Sequence, residues 1–286
     1  MELIRAAEDL RALTGERRAA GDTVGLVPTM GALHDGHVSL MRRSRSDSGF
    51  LVLTIFVNPR QFSDAADFQR YPRDEARDLA ICERMGVDAV WAPTEEEVFP
   101  PGADPPPPDP GPAATSLEGS ARPGHFAGVL SVVHRFFEVV GPCAAYFGEK
   151  DAQQLFLIGQ MVARLDLPVE LVTCPTVREP DGLALSSRNS LLGQQEREQA
   201  GCLFLALSEA AAATRSGEQD VGVIVAVMAR EIGATPLASL DYAAVVEEAT
   251  FEPAVRIERD RPARALVAAR FPSARLIDNL LLPEPA

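Results

Sequence analysis

Short apolar runs alternate with helical patterns through the first 176 residues, and this alternation limits the possible folds more than any other feature of the sequence. Strand-like runs occur at 23–28, 50–57, 87–91, 144–147 and 169–173. Helical spacing of apolar residues occurs at 36–45, 74–85, 125–139 and 152–165. Strands that alternate with helices predict an α/β fold, a parallel sheet with helices on both faces. Ligands of such sheets bind at the carboxyl ends of the strands, so the loops after Val27, Val57 and Phe147 are the expected site.

The pattern changes after residue 176. Two helical stretches, 194–213 and 221–232, are followed by strand-like runs at 240–246, 265–269 and 275–282. We therefore expect two domains, a larger one at 1–176 and a smaller α+β domain at 177–286. The proline-rich segment 100–112 is expected to be an extended surface loop without regular structure, because strands and helices resume beyond it.

Charge and composition exclude several classes of function. The chain has 27 Lys+Arg against 41 Asp+Glu and a formal charge of −14, which argues against a nucleic-acid partner. No apolar run approaches the roughly 18 residues of a membrane span, and the first residues lack the apolar stretch of a secretory signal. The four cysteines are scattered without a CxxC pair, which favours neither zinc nor a disulfide framework. We expect a cytoplasmic protein without a membrane partner.

Lys150 is the only lysine among the 27 basic residues of the chain. An ammonium is a compact point charge, whereas the arginine guanidinium is a planar fork. The use of lysine at this one position suggests that an ammonium is needed there. A lysine of no special role is the alternative.

The segment 28–37 (PTMGALHDGH) directly follows a predicted strand and opens a predicted helix. His34 and His37 are three residues apart, which places both rings on one face of a helix start. The helix dipole and the first N–H groups point the same way, and the glycines allow a close backbone approach. This arrangement predicts a phosphate site, although two incidental surface histidines would fit the same spacing.

Three further segments carry polar groups suited to a small, charged substrate. Asn58 and Gln61 lie in 54–62 (TIFVNPRQF) at the end of the strongest strand, where their amides suit hydroxyls and carboxylates. Arg122 and His125 lie in RPGHF, and Tyr71 lies in YPR. Each of these segments could equally be a polar turn with only a structural role.

Two later segments offer cations and hydroxyls. Residues 145–154 (AYFGEKDAQQ) place Lys150 between a predicted strand and a helix, without the G-x-x-x-x-G-K-[ST] pattern of a P-loop. Residues 177–189 (VREPDGLALSSRN) pair two hydroxyls with Arg188, a donor-rich loop that could close over a polyphosphate. Ser-Ser-Arg as a helix cap is the alternative.

Taken together, PTMGALHDGH, IFVNPRQF, RPGHFAGV, YFGEKDAQQ and VREPDGLALSSRN resemble the pantothenate synthetase (pantoate–β-alanine ligase) family of the HxGH nucleotidyltransferase-like superfamily. The resemblance spans the chain from residue 1 to about 282. It implies a Rossmann-like domain, a smaller C-terminal lid domain and a homodimer. It also implies an AMP-forming ligase that joins pantoate to β-alanine through a pantoyl-adenylate and releases pyrophosphate, with Mg²⁺ arriving on ATP rather than in a protein metal site.

The resemblance also implies roles for particular residues. The catalytic residues would be His34, His37, Lys150 and Arg188, with His37 in the position of the family's proton donor. ATP would be bound by Met30, Gly31, Ala32, Leu33, His34, Asp35, Gly36, His37, Gly148, Glu149, Lys150, Asp151, Val177, Leu185, Ser186, Ser187 and Arg188. Gln61 and Gln154 match the family's pantoate pair. Asn58, Tyr71, Arg122 and His125 are further candidates for binding the other substrates, on the chemistry of their side chains alone.

Two positions depart from the family pattern. Leu185 replaces a common methionine of similar volume, so nucleotide packing should be retained. Arg77 precedes Asp78 where the family often has two acids, so no protein ligand for Mg²⁺ is assigned. Two alternatives stay open. Another nucleotidyltransferase of the superfamily would release pyrophosphate without needing an amine, and a non-catalytic ATP-binding module would form no product.

Overall fold

The computed structural model describes residues 1–102 and 107–285. By its internal contacts this part of the chain divides into two compact units. Unit 1 comprises Met1–Glu149 and Gln153–Pro175, and unit 2 comprises Lys150–Ala152 and Thr176–Ala286. The expected domain boundary between residues 176 and 177 stays a prediction. The two units divide between Pro175 and Thr176, and Lys150–Ala152 groups with the later residues.

Unit 1 is built on a parallel sheet of six strands. The strands are β1 (Glu2–Ile4), β2 (Val24–Val27), β3 (Phe50–Thr54), β4 (Ala89–Trp91), β5 (Cys143–Gly148) and β6 (Val169–Cys174). Their order across the sheet is β1-β4-β3-β2-β5-β6, and every neighbouring pair is parallel. The chain moves outward from β2 to β3 and β4 on one side and crosses to β5 on the other. The carboxyl ends of β2 and β5 therefore flank the point where the strand order reverses, the usual ligand crevice of such sheets.

Helices connect these strands. They are α1 (Ala7–Ala19), α2 (Asp35–Asp47), α3 (Ala65–Arg70), α4 (Glu75–Arg84), α5 (Glu95–Val98), α6 (Glu118–Ala121), α7 (His125–Val140) and α8 (Ala152–Arg164). Short 3-10 helices lie at Pro59–Gln61, Pro112–Thr115 and Glu149–Asp151.

The two faces of the sheet bury separate cores, as alternating side chains along a strand require. Val52 packs in the core that contains α1, α7 and α8. Its neighbours Leu51 and Leu53 pack in the opposite core with α2 and α4. The prediction of helices on both faces of a parallel sheet is confirmed.

Unit 2 contains an antiparallel sheet of β7 (Ser239–Glu247), β8 (Ala263–Arg270) and β9 (Arg275–Leu281), with β8 in the centre. Its helices are α9 (Gln194–Gln199), α10 (Cys202–Arg215) and α11 (Val221–Gly233), with a 3-10 helix at Ser187–Leu191. Side chains of α10, α11 and β8 share one core. The α+β prediction for the later residues is confirmed.

Three predicted elements needed correction. The strand expected over 50–57 ends at Thr54, because its neighbours β2 and β4 end at the same level. The helix expected over 194–213 is two helices, interrupted at Ala200–Gly201, where glycine has low helix propensity. In the proline-rich segment, 107–111 lack regular structure as predicted, but Pro112 starts a 3-10 helix, a position that tolerates proline. Residues 103–106 of that segment lie outside the described residues.

Within the part of the chain that the structure describes, no helix has both the length and the apolar character needed to cross a membrane.

Candidate active site

The turn between β2 and α2 is held by hydrogen bonds to the neighbouring strand end. The Thr29 hydroxyl donates to the Thr54 carbonyl at 2.5 Å, and the Thr29 N–H donates to the Thr54 hydroxyl at 3.1 Å. The N–H of Gly31 in turn donates to the Thr29 hydroxyl at 3.1 Å. Gly31 and Ala32 have φ of +76° and +49°, a region that glycine adopts at no steric cost and alanine does not. The strained turn brings the backbone of residues 31–33 to the carboxyl end of β2.

Asp78 of α4 supports this turn. Its carboxylate accepts hydrogen bonds from the Ala32 N–H at 2.8 Å and the Leu33 N–H at 2.9 Å, and the residue is only 1% exposed. Burial raises the pKa of the Asp78 carboxyl, and the two N–H donors oppose that rise. The supporting role of this carboxylate was not predicted from the sequence. The sequence feature that could have revealed it is the position of Asp78, an acid on the same helix face as the buried residues Ile81 and Cys82.

Asp78→Asn should lower the free energy of unfolding by about 2 kcal/mol, because an amide can accept only one of the two N–H bonds and leaves a buried donor unsatisfied. Chemical denaturation of the two proteins measures the difference. Asp74→Asn is the matched control, since Asp74 caps the same helix at an exposed site and asparagine caps equally well. Equal stability of Asp78→Asn and the parent protein would contradict the supporting role.

His34 and His37 form a reciprocal cap at the start of α2. The Gly36 N–H donates to His34 Nδ1 at 3.1 Å, and the His34 N–H donates to His37 Nδ1 at 3.3 Å. The ring centroids are 4.1 Å apart. A neutral imidazole whose Nδ1 accepts a hydrogen bond carries its proton on Nε2. Each ring therefore has an Nε2–H donor, at a helix end whose dipole attracts anions.

Gln61 is the centre of a second polar group in unit 1. Its side-chain amide donates to Met30 Sδ at 3.0 Å and accepts from Asn58 Nδ2 at 3.4 Å. Its backbone carbonyl lies 2.8 Å from His125 Nδ1 and accepts from Arg122 Nη2 at 3.4 Å. Four of the predicted substrate-binding residues, Asn58, Gln61, Arg122 and His125, are thus brought together beside Met30.

The absence of a side chain at Gly128 allows this grouping. A Cβ there would lie 2.3 Å from the Arg60 carbonyl oxygen, so only glycine lets α7 approach the 3-10 helix that carries Gln61. The Gly128 carbonyl also accepts from Asn58 Nδ2 at 3.0 Å. The backbone on both sides of Gln61 is therefore fixed by packing and hydrogen bonds.

The other predicted residues of unit 1 are placed as follows. Tyr71 is buried with its ring 5.8 Å from that of Phe62, and Gln154 is half-buried on α8. Asp35 is exposed in the first turn of α2, and Gly148 and Glu149 lie at the end of β5 and directly after it. The neighbour of Gln154, Gln153, was missed by sequence analysis. It is buried and bonds the backbone of Ala113, Ser116 and Glu118, which holds that segment in place.

In unit 2, residues 177–189 form a small hairpin followed by a capped turn. Arg178 pairs with Ala184 across the hairpin, and the Leu185 N–H donates to the Val177 carbonyl at 2.9 Å. Gly182 makes the reversal at φ +90°. The Ser186 hydroxyl then accepts from the Arg188 N–H at 3.3 Å and caps the 3-10 helix. Ser186 therefore has the capping role that sequence analysis considered as an alternative, and capping does not exclude a ligand at Ser187 and Arg188.

Lys150 has a half-buried side chain in unit 2, with its Nζ 3.5 Å from the Asp151 carboxylate. Its carbonyl accepts a hydrogen bond from Asn279 Nδ2 at 2.7 Å. Lys150 is the second residue after β5, and its backbone is hydrogen-bonded within unit 2.

His34 and His37 at the start of α2 supply N–H donors, and Lys150 supplies a cation. Both kinds of group bind phosphate oxygens. The family model described as pantoate-β-alanine ligase matches residues 2–281 of this chain. The chain belongs to the pantoate–β-alanine ligase family. The pantothenate synthetase of Rubrobacter xylanophilus is 46% identical over 98% of both chains, and that of Chloroflexus aurantiacus is 48% identical over 93% of this chain and 94% of the relative.

Solved structures of the ligase family agree with this assignment. The pantothenate synthetase of Thermus thermophilus matches with a TM-score of 0.91 and 43% identity, over 99% of this chain and all of that one. The pantoate–β-alanine ligase of Francisella tularensis, complexed with β-γ ATP and β-alanine, matches with a TM-score of 0.80 and 31% identity over 98% and 97% of the two chains.

Proposed function

We propose that this chain joins pantoate to β-alanine at the expense of ATP. The family match over residues 2–281 carries the proposal. The nucleotide and the amine that this reaction needs are both named for the Francisella tularensis relative, which was solved with β-γ ATP and β-alanine. A superfamily member that only transfers nucleotides would have no use for the amine, so no observation favours that alternative.

The reaction proceeds in two steps. A pantoate carboxylate oxygen attacks the α-phosphorus of ATP, the bond to the β-phosphate breaks, and pyrophosphate leaves. The amine of β-alanine then attacks the acyl carbon of the adenylate, AMP leaves with the bonding electrons, and the amine loses a proton. In the first step an anion approaches an anion, so the rate depends mainly on positioning and on neutralising charge.

The proposed division of labour follows the chemistry of each group. The Nε2–H donors of His34 and His37 bind phosphate oxygens, together with the start of α2. Lys150 and Arg188 neutralise the charge that accumulates on the leaving pyrophosphate, with Ser187 as a hydroxyl donor. Gln61 and Gln154 bind pantoate. The remaining ATP contacts are proposed for the residues that the family resemblance assigns.

Mg²⁺ is proposed to enter as a complex with ATP. Across residues 1–102 and 107–285, no three His, Cys, Asp or Glu side chains are clustered as metal ligands. Asp78 already accepts two backbone hydrogen bonds, so its carboxylate fits a structural role better than a metal one. When bound, the ion would neutralise phosphate oxygens, while the protein side chains orient them. A homodimer and a cytoplasmic location are proposed on the family resemblance alone.

Product analysis tests the activity. The protein is incubated with ATP, Mg²⁺ and pantoate, with and without β-alanine, and the products are identified by mass spectrometry. We expect pantothenate and AMP only when β-alanine is present. Pyrophosphate release without any dependence of AMP on β-alanine would indicate a nucleotidyltransferase, and no product with any acid would indicate a binding module.

His37→Ala should slow adenylate formation about 10- to 100-fold, because one preorganised phosphate donor is lost while His34 remains beside it. Stability should fall by no more than about 1 kcal/mol, the scale of a lost helix cap. The rate is measured by pantoate-dependent ATP–pyrophosphate exchange. His134→Ala, a half-buried histidine on α7, is the control and should leave exchange unchanged. A large fall in melting temperature for His37→Ala with an unchanged rate would favour a structural histidine.

A further inference from the structure

Two buried polar residues stand next to each other in β9, within a sheet whose other buried side chains are mostly apolar. Asp278 and Asn279 are 3% and 4% exposed. Side chains of consecutive strand residues point to opposite faces of the sheet, so these two side chains contact different neighbours. Buried polar groups are costly unless their hydrogen bonds are made, and both residues make theirs with specific partners.

Asp278 holds the base of the 177–189 hairpin. Its carboxylate pairs with Arg178 through two contacts of 2.5 and 3.0 Å, and Arg178 also donates to the Gly182 carbonyl at 3.0 Å. The same guanidinium lies 4.2 Å over the Phe204 ring. Burial raises the pKa of Asp278, and Arg178 acts against that rise.

Asn279 holds the backbone of Lys150. Arg264 donates to Asn279 Oδ1 at 2.5 Å, and Asn279 Nδ2 donates to the Lys150 carbonyl at 2.7 Å. A guanidinium can only donate and a carbonyl can only accept, so this pair of neighbours fixes which way the amide points. Arg264 is itself fixed by two contacts of 2.7 and 2.9 Å to Glu248.

We propose that Asn279 is a positioning residue for the reaction, which sets the place of the Lys150 ammonium by anchoring the Lys150 carbonyl. The inference rests on the proposed role of Lys150 in neutralising phosphate charge. A lysine side chain is long and flexible, so the position of its ammonium depends on how firmly its backbone is held. Asp278 does the equivalent for the hairpin that precedes Arg188, so one strand supports both cationic segments of unit 2.

The substitution Asn279→Asp tests the anchor with almost no change in shape. The carboxylate still accepts from Arg264, but it cannot donate to the Lys150 carbonyl and repels that oxygen. We expect pantoate-dependent ATP–pyrophosphate exchange to slow about 10- to 100-fold, the scale of a small misplacement of a catalytic group. The KM for pantoate should stay within about twofold, because pantoate is bound by residues of unit 1.

Coupling to Lys150 separates positioning from a general structural defect. In a Lys150→Ala background, Asn279→Asp should slow exchange less than about twofold, because the group it positions is gone. Additive effects of the two substitutions would overturn the proposal. Asn279→Ala is measured in the same cycle, so that the result stands even if the aspartate variant folds poorly.

Thr214→Val is the matched control. Thr214 is fully buried in α10 of the same unit, and its hydroxyl donates to the Ala210 carbonyl at 3.0 Å. The control therefore removes one buried hydrogen bond to a backbone carbonyl, as Asn279→Asp does, and should leave exchange unchanged. If it slows exchange as much as Asn279→Asp, the effect is general loss of stability and the proposal is wrong. Failure of the parent protein to form pantothenate would instead reject the proposed function itself.

Discussion

Lys150→Ala is expected to lower the rate of pantoate-dependent ATP–pyrophosphate exchange by about 10²–10³, the scale for losing one preorganised electrostatic group. Negative charge accumulates on the leaving pyrophosphate as the bond to the α-phosphorus breaks. The Lys150 side chain is half-buried, so solvent screens its charge less than that of a fully exposed cation. Single-turnover measurement of adenylate formation gives the chemical step without product release.

Lys150→Arg should also be impaired, because a planar fork cannot replace a compact ammonium at a short range. The remaining basic residues of the chain are all arginine, so this variant tests whether an ammonium is required at position 150. Arg259→Ala, which removes an exposed cation of unit 2, controls for the change in net charge and should have no effect on the rate. Undiminished turnover of Lys150→Arg would refute the requirement for an ammonium.

The parallel sheet could be predicted because its central strands β2, β3 and β4 are buried on both faces and appear as continuous apolar runs. The five residues of β3 are all buried, and the run FLVLT is unmistakable. Strand β1 and helix α1 were missed for the opposite reason. Strand β1 has three residues, of which only Ile4 is buried, and the inner face of α1 is formed by Ala7, Leu10 and Thr14. Thr14 there bonds the Leu10 carbonyl, so a polar residue occupies a core position.

Only those parts of the site that depend on local spacing could be predicted from the sequence. The His34–His37 pair is three residues apart, and the reciprocal cap between them is a local structure that a sequence can reveal. The supports of the site are distant along the chain. Asp78 lies 45 residues after Leu33 in the turn that it holds, and Asn279 lies 129 residues after Lys150. Such partners follow from tertiary packing, and no local periodicity predicts them.

Asp278→Ala should lower the free energy of unfolding of unit 2 by about 3 kcal/mol, because removing the buried partner leaves the half-buried Arg178 guanidinium without its counter-charge. The expected value is at the low end for a broken buried pair, since Arg178 retains contact with the Gly182 carbonyl and the Phe204 ring. Chemical denaturation monitored by circular dichroism measures the loss. Glu247→Ala, in β7 of the same unit, removes one of the two acidic partners of the exposed Arg261 and should cost less than about 1 kcal/mol.

Replacing both charges distinguishes the cost of an orphaned charge from the value of the ion pair. The double variant Arg178→Met with Asp278→Leu removes both charges of this pair, and it should recover most of the stability that Asp278→Ala loses. It should not recover activity, because the methionine side chain cannot donate to the Gly182 carbonyl and the hairpin before Arg188 loses that bond. If the double variant is as unstable as Asp278→Ala, the pair itself stabilises unit 2. If it is as active as the parent protein, the Arg178 anchor has no part in placing Arg188.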